Sequence, residues 1–264
     1  MNYRWINYER AGDVAIIRLN DEKTINAASC EMVDELRLAL GDASSTSRAI
    51  ILTGAGRGFC SGFNLAGGID PSDPRYDAGA VLETHFNPLI LLLRDLPIPF
   101  LTAINGPAAG IGCAIALAGD IILASQGSYL LMAFGRVGLI PDGGVAYMLT
   151  RAAGRVRAME MMLLGNKIPA EQALRWGLIS RVVPEQALES EALATAQALA
   201  AGPTRTLAAI RRLCWRALDT DLSAQLEVER AAQREAGGDA DHREGLAAFL
   251  EKRAPNFRRG TPSA

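Results

Sequence analysis

Ile104-Asn105-Gly106-Pro107-Ala108-Ala109-Gly110-Ile111-Gly112-Cys113-Ala114 is the end of an apolar strand, broken by a glycine-rich turn that opens into a helix of small residues. Further along, Gly138-Leu139-Ile140-Pro141-Asp142-Gly143-Gly144-Val145 sets one acidic side chain between an apolar run and two glycines. Glycines let a backbone turn sharply and approach a ligand, so the first turn is suited to presenting amides to an anion. The second is suited to moving a proton.

The pattern around these turns is strand, turn and helix, repeated. Val14-Ala15-Ile16-Ile17-Arg18-Leu19 reads as a strand stopped by Asn20-Asp21, and a loop with Lys23 and Asn26-Ala27 follows. Met32, Val33, Leu36 and Leu40 recur at helical spacing, which predicts a helix over residues 31–40 capped by Gly41. Ala49-Ile50-Ile51-Leu52-Thr53 is a second strand, followed by the small-residue turn Phe59-Cys60-Ser61-Gly62-Phe63-Asn64-Leu65. Residues 66–79, rich in Gly, Pro, Asp and Ser, predict a mobile loop over a site. A helix over 80–94 ends before Pro97 and Pro99, and strands are expected at 100–104 and 120–125. Alternation of this kind is the mark of α/β architecture.

Beyond Asp142 the pattern is helical. Pro169 suits the first position of a helix ending at Gly177, and Pro184 begins another that ends near Gly202, with Leu193, Ala196, Leu199 and Ala200 as a packed face. Helices over about 204–217, 223–236 and 242–252 complete the chain, and Arg211-Arg212 reads as a solvated helix face. The expected division is a core over 1–200 and a helical region over 201–264.

With 264 residues, 49% of them hydrophobic, the chain can bury a sizeable core, and a net charge of -2 provides no broad footprint for nucleic acid or an anionic membrane. The N-terminus has no apolar run of signal-peptide length and no segment approaches the ~18 apolar residues of a membrane span, so a cytoplasmic protein is expected. Cys30, Cys60, Cys113 and Cys214 are far apart in sequence and read as reduced packing residues. His85 and His242 are the only histidines and neither has a ligand-spaced partner, so no metal site is expected.

Gly110-Ile111-Gly112 lacks the third glycine of a dinucleotide fingerprint, Ile115 standing in its place, and Gly54-Ala55-Gly56 leads into a second turn. Neither a phosphate-binding G-x-x-x-x-G-K-[ST] nor a G-x-S-x-G nucleophile motif occurs. Asp142 has two readings. It could cap the following helix as an ordinary turn residue, or it could act as a base whose pKa is raised among Leu139, Ile140 and Pro141.

Five segments taken together resemble the enoyl-CoA hydratase/isomerase (crotonase) superfamily. They are Leu19-Asn20-Asp21-Glu22-Lys23-Thr24-Ile25-Asn26-Ala27, Gly58-Phe59-Cys60-Ser61-Gly62-Phe63-Asn64-Leu65, Ile104-Asn105-Gly106, Gly138-Leu139-Ile140-Pro141-Asp142-Gly143-Gly144 and Phe249-Leu250-Glu251-Lys252-Arg253. The resemblance implies a spiral of repeated ββα units with a C-terminal helical trimerisation region, assembled as a homotrimer or homohexamer. It implies an acyl-CoA thioester substrate, coenzyme A entering as part of that substrate and no separate cofactor. The thioester oxygen would be held by the backbone N–H groups of Phe63 and Ile111. Coenzyme A contacts map to Lys23, Ser61, Asn64, Leu65 and Lys252, the last reaching a neighbouring subunit's site.

Hydratases of the superfamily use two glutamates to activate water. Those positions are Ala114 and Phe134 here, which would instead line the acyl pocket. Asp142 falls where several isomerases carry an aspartate, and the pattern looks most like the ring-epoxide and Δ3,Δ2-enoyl-CoA isomerases of phenylacetate degradation. Ile111 stands where glycine is common, and Asn64 where aspartate is common. The expected activity is therefore acyl-CoA isomerisation through a thioester enolate. The alternatives are an enoyl-CoA hydratase and a non-catalytic acyl-CoA-binding oligomer.

Overall fold

The computed structural model describes residues 3–65 and 72–257. Its first half runs β1 (Ile6–Ala11), β2 (Val14–Leu19), α1 (Cys30–Thr46), β3 (Ala49–Gly54), α2 (Asn87–Asp95), β4 (Phe100–Ile104), β5 (Pro107–Ala109), α3 (Ile111–Leu117), β6 (Ile121–Ser125) and β7 (Tyr129–Leu131). The second half runs α4 (Val145–Ala153), α5 (Arg155–Leu164), β8 (Lys167–Pro169), α6 (Ala170–Arg175), β9 (Arg181–Val183), α7 (Leu188–Ala201), α8 (Thr204–Ala217), α9 (Leu222–Gly238) and α10 (Ala240–Glu251).

The long strands form a six-stranded sheet in the order β1-β2-β3-β4-β6-β9, parallel except for the antiparallel β1–β2 pair. Every residue of β3 and β4 is buried. Buried on both faces, such strands read as unbroken apolar runs rather than as alternating ones. Ile50 and Leu52 belong to the larger core under α1 and α2, whereas Ala49 and Ile51 face a smaller core closed by Leu188, Ala192, Ala196 and Ala200 of α7. The fourfold spacing of those α7 residues gives one continuous stripe for the sheet.

A second layer gives the chain its spiral. After β2 the chain passes through Ala28, after β3 through Cys60–Phe63, after β4 through β5 and after β6 through β7. Ala28 bridges Phe63, Cys60 bridges Ala108 and β5 pairs with β7, all in parallel, and β8 closes this layer antiparallel to β7. Each turn of the spiral is therefore one long strand, one short segment and a helix, stitched to the next turn through the short segments.

Several expectations need correction. Gly41 lies inside α1, which runs on to Thr46. Pro169 ends β8 and stands just outside α6, which begins at Ala170, one position after the expected helix start. The stretch after Asp142 is not purely helical, because β8 and β9 lie within it. The helix expected over 80–94 opens instead with a π turn, Leu82–Phe86, that runs into α2. Of the loop expected over 66–79, residues 66–71 lie outside the described residues.

Arg211 is the largest departure. It is 5% exposed, not solvated. Its guanidinium pairs with Asp120 and donates to the carbonyls of Leu93 (2.9 Å), Arg94 (3.2 Å) and Leu96, the last turn of α2. Asp120 also accepts the Phe100 N–H (2.8 Å), so one side chain of α8 ties together the end of α2 and the start of β4.

Candidate active site

Two backbone amides define one wall of the site. Around Phe63 the hydrogen bonds of the parallel bridge run from the Ala28 N–H to the Gly62 carbonyl (2.7 Å) and from the Asn64 N–H to the Ala28 carbonyl (3.1 Å). Amides alternate in direction along an extended chain, so the Phe63 N–H faces away from that bridge. Gly62, at φ 110°, makes the turn possible.

The Ile111 amide arises similarly. Gly110 adopts φ 52° and ψ −126°, a mirror image of extended backbone that strongly favours glycine, and its own N–H is held by the Leu131 carbonyl at 2.9 Å. Ile111 then begins α3, where the first amides have no helical partner. Among the described residues neither the Phe63 nor the Ile111 N–H has a hydrogen-bond acceptor. The two glycine turns touch, since a Cβ on Gly110 would lie 3.8 Å from Gly62 Cα.

The turn carrying Asp142 is seated on α3. Gly143 and Gly144 are both left-handed, at φ 57° and 74°, and a Cβ on Gly143 would fall 2.2 Å from Ile111 Cδ1 and 3.0 Å from Ala114 Cβ. Only a glycine fits so tight a contact without displacing its neighbour. The capping position of α4 belongs to Gly144, with no side-chain cap, so Asp142 does not perform that role. Its Oδ1 is buried and has no hydrogen-bond partner among the described residues. Burial pushes the carboxyl up to about 6, partly opposed by a hydrogen bond from its own backbone amide.

Asp142, Phe63, Ile111 and Phe134 line a common cavity of about 190 Å³. Its walls are mainly carbon: Leu82 and Phe86 come from the π turn, and Val137 and Leu139 from the segment before Asp142. The Phe63 and Phe86 rings meet edge to face with centroids 5.5 Å apart. Phe134 lies over the first turn, its Cζ 3.7 Å from the place of a Gly110 Cβ. Ala114 is wholly buried beneath Gly143 and is not among the lining residues, so of the two positions expected to line the acyl pocket only Phe134 does.

Two of the five expected coenzyme A contacts line this cavity and two more adjoin them. Ser61 and Leu65 line it, Leu65 being 53% exposed, and Asn64 lies between them. Lys23 is exposed on the one-turn helix Glu22–Thr24, which is held to Ser61 by the Ser61 N–H to the Ile25 carbonyl (2.9 Å) and Ser61 Oγ to the Thr24 carbonyl (2.6 Å). Lys252 ends α10, which packs on α9, and it does not line the cavity.

Asn26 is a supporting residue that sequence reasoning left in an unremarked loop. It is fully buried with φ 56°, its Oδ1 accepts the Asp21 N–H (2.9 Å), and its Nδ2 donates to the carbonyls of Ala55 (2.9 Å) and Gly58 (2.8 Å). Asparagine tolerates left-handed backbone and can satisfy three buried groups at once. Its place after a strand and before Ala27 was the available signal. Asn26→Ala is expected to destabilise the fold by about 2–4 kcal/mol, measured by urea denaturation, because those backbone groups lose their partners.

Among the described residues no helix is long and apolar enough to cross a membrane. The model of the family described as Enoyl-CoA hydratase/isomerase matches residues 9–260. The chain is 44% identical over 247 residues to the 1,2-epoxyphenylacetyl-CoA isomerase of Escherichia coli, covering 92% of this chain and 94% of that one. It is 42% identical over 257 residues to the "Probable enoyl-CoA hydratase" of Rhodobacter capsulatus, covering 97% and 99%. The crystal structure of an enoyl-CoA hydratase from a Polaromonas species superposes with a TM-score of 0.89 at 32% identity, covering 96% of this chain and 99% of that one. The family model and both relatives match nearly the whole length, and the fold agrees: the chain belongs to the enoyl-CoA hydratase/isomerase family.

Proposed function

We propose that the protein is an acyl-CoA isomerase that shifts a double bond, or a ring-epoxide-derived system, through a thioester enolate. The observation that carries this reading is the unpartnered, buried carboxylate oxygen of Asp142 in the same cavity as two unpaired amides. Asp142 removes a proton made acidic by the thioester and returns it further along the acyl group. One base suffices, because the carboxyl that forms in the first step is the acid of the second. The negative charge develops on the thioester oxygen between the Phe63 and Ile111 N–H groups, each such donor being worth about 2.7–4 kcal/mol in the transition state.

Addition of water needs a second group to hold and activate the nucleophile. The two positions that supply it in hydratases are hydrocarbon here. Phe134 places a ring against the first turn, and Ala114 is sealed under Gly143. Lys23, Ser61, Asn64 and Leu65 are suited to the coenzyme A portion, with Lys252 supplied across a homotrimer or homohexamer. The test is a coupled spectroscopic assay of the purified protein with a 3-enoyl-CoA, with crotonyl-CoA hydration as its control. Isomerisation with negligible hydration is expected. Hydration at a rate comparable to that of a two-glutamate enzyme, without isomerisation, would overturn the proposal.

A further inference from the structure

Four polar side chains line the cavity: Ser61, Tyr76, Asp77 and Asp142. Three have a role already. Ser61 Oγ is spent on the Thr24 carbonyl at 2.6 Å, Asp77 Oδ1 accepts the Gly79 N–H at 2.7 Å, and Asp142 is the proposed base. An ionised carboxylate is in any case an acceptor only. The Tyr76 hydroxyl is different. Among the described residues it has no hydrogen-bond partner, and it is the one neutral side-chain donor left uncommitted on the cavity wall.

The turn that carries this tyrosine has a defined local shape. The Tyr76 N–H donates to the Asp73 carbonyl at 2.8 Å, and the Asp73 carboxylate accepts the Arg75 N–H at 2.9 Å and both ends of its guanidinium fork at 3.1 and 2.9 Å. The residue is 40% exposed, so water can reach this wall of the cavity until an acyl group covers it. A hydrocarbon acyl group would strip that water and leave the hydroxyl unpaired. An acyl group with a suitably placed oxygen would replace the water.

We infer that Tyr76 is a specificity-determining residue that selects acyl groups bearing an ether, epoxide or alcohol oxygen, by donating its hydroxyl to that oxygen. The inference deepens the proposed isomerase reading and rests on it for the identity of the cavity as an acyl site. No bond is made or broken by Tyr76. Discrimination comes from one neutral hydrogen bond, which corresponds to about a three- to tenfold preference.

The experiment pairs two non-reacting thioesters, 2-hydroxycyclohexylacetyl-CoA and cyclohexylacetyl-CoA, and measures their dissociation constants for the wild type and for Tyr76→Phe. The variant keeps the ring and loses only the hydroxyl. The wild type is expected to prefer the hydroxylated ligand by about three- to tenfold and the variant to bind both alike. Equal preference in the two proteins, or none in the wild type, would overturn the inference. Turnover of cyclohex-1-enylacetyl-CoA by the wild type, measured alongside, reports separately whether this cavity is the site of isomerisation. A binding preference without any turnover would sink the isomerase reading and leave the Tyr76 inference standing; turnover without a preference would do the reverse.

Discussion

Replacing Asp142 by Asn is expected to lower kcat for a 3-enoyl-CoA by about a hundred- to ten-thousandfold while leaving thioester affinity largely unchanged. The amide side chain has nearly the shape of the carboxylate but cannot accept the substrate proton, and the Phe63 and Ile111 amides proposed to hold the oxyanion are untouched. In the wild type kcat/KM should rise as the pH passes through about 6 and level off above it, since the base works only when ionised and burial holds its carboxyl near that value. Rapid pre-steady-state mixing over pH 5–8 would read this limb directly. A flat profile would assign proton transfer to another group.

The same substitution has a stability consequence of opposite sign. The folded state raises this carboxyl above its ordinary value, so between the two pKa values the native protein holds more protons than the unfolded chain. The stabilising share of Asp142 is therefore complete below about 4 and is lost as the pH rises through about 6. Above that, an ionised carboxylate with an unpartnered buried oxygen is a liability that asparagine removes. Thermal unfolding of Asp142→Asn is expected at a higher temperature than wild type at pH 8 and at the same temperature near pH 4. A gain in stability with a loss of turnover is what a functional group held against its own solvation preference should show.

Arg211→Met is expected to destabilise the fold by about 2–4 kcal/mol, because the buried guanidinium is lost from the partly exposed Asp120 carboxylate and from three carbonyls at the end of α2. For a chain of this size that moves the thermal midpoint down by on the order of 10 °C. The substitution orphans Asp120, whose remaining partner is the Phe100 N–H, and three carbonyls at the end of α2. Arg211→Lys should recover little, because a single ammonium cannot replace the fork that reaches Asp120 and those carbonyls together. Adding Asp120→Asn to Arg211→Met should restore part of the loss, and strict additivity of the two single variants would refute the coupling.

The parts of this molecule legible in the sequence are those whose physics is local. Strands buried on both faces announce themselves as apolar runs, as in Ala49-Ile50-Ile51-Leu52 and Phe100-Leu101-Thr102-Ala103-Ile104. Gly62, Gly110, Gly143 and Gly144 mark turns because their left-handed backbone is easy only for glycine. What stayed hidden is set by distant partners. β1, Ile-Asn-Tyr-Glu-Arg-Ala, is an edge strand with little apolar content, and β5, β7, β8 and β9 have three residues each, too few for a period to show. Arg211 follows the amphipathic pattern of an exposed face, and only the arrival of the end of α2 buries it. Asp142 was legible as an acid in an apolar setting, whereas setting aside the capping role needed the position of α4. Tyr76 carried no local signal, since a tyrosine in a polar loop becomes a donor only when that loop lines a cavity.

The proposed oxyanion donors belong to the backbone, and this separates the machinery into two genetic classes. Almost any codon change at Phe63 or Ile111 leaves an N–H in place, proline being the one replacement that deletes it. The heritable weak points are the neighbours: Gly62 and Gly110, which aim those amides, and Asp142, the proposed base. A saturation library should therefore tolerate apolar replacements of similar size at the two donor positions, which are packed against the core, and collapse at the three beside them. New chemistry could arise in such a lineage by exchanging the acid while the anion cradle is inherited intact.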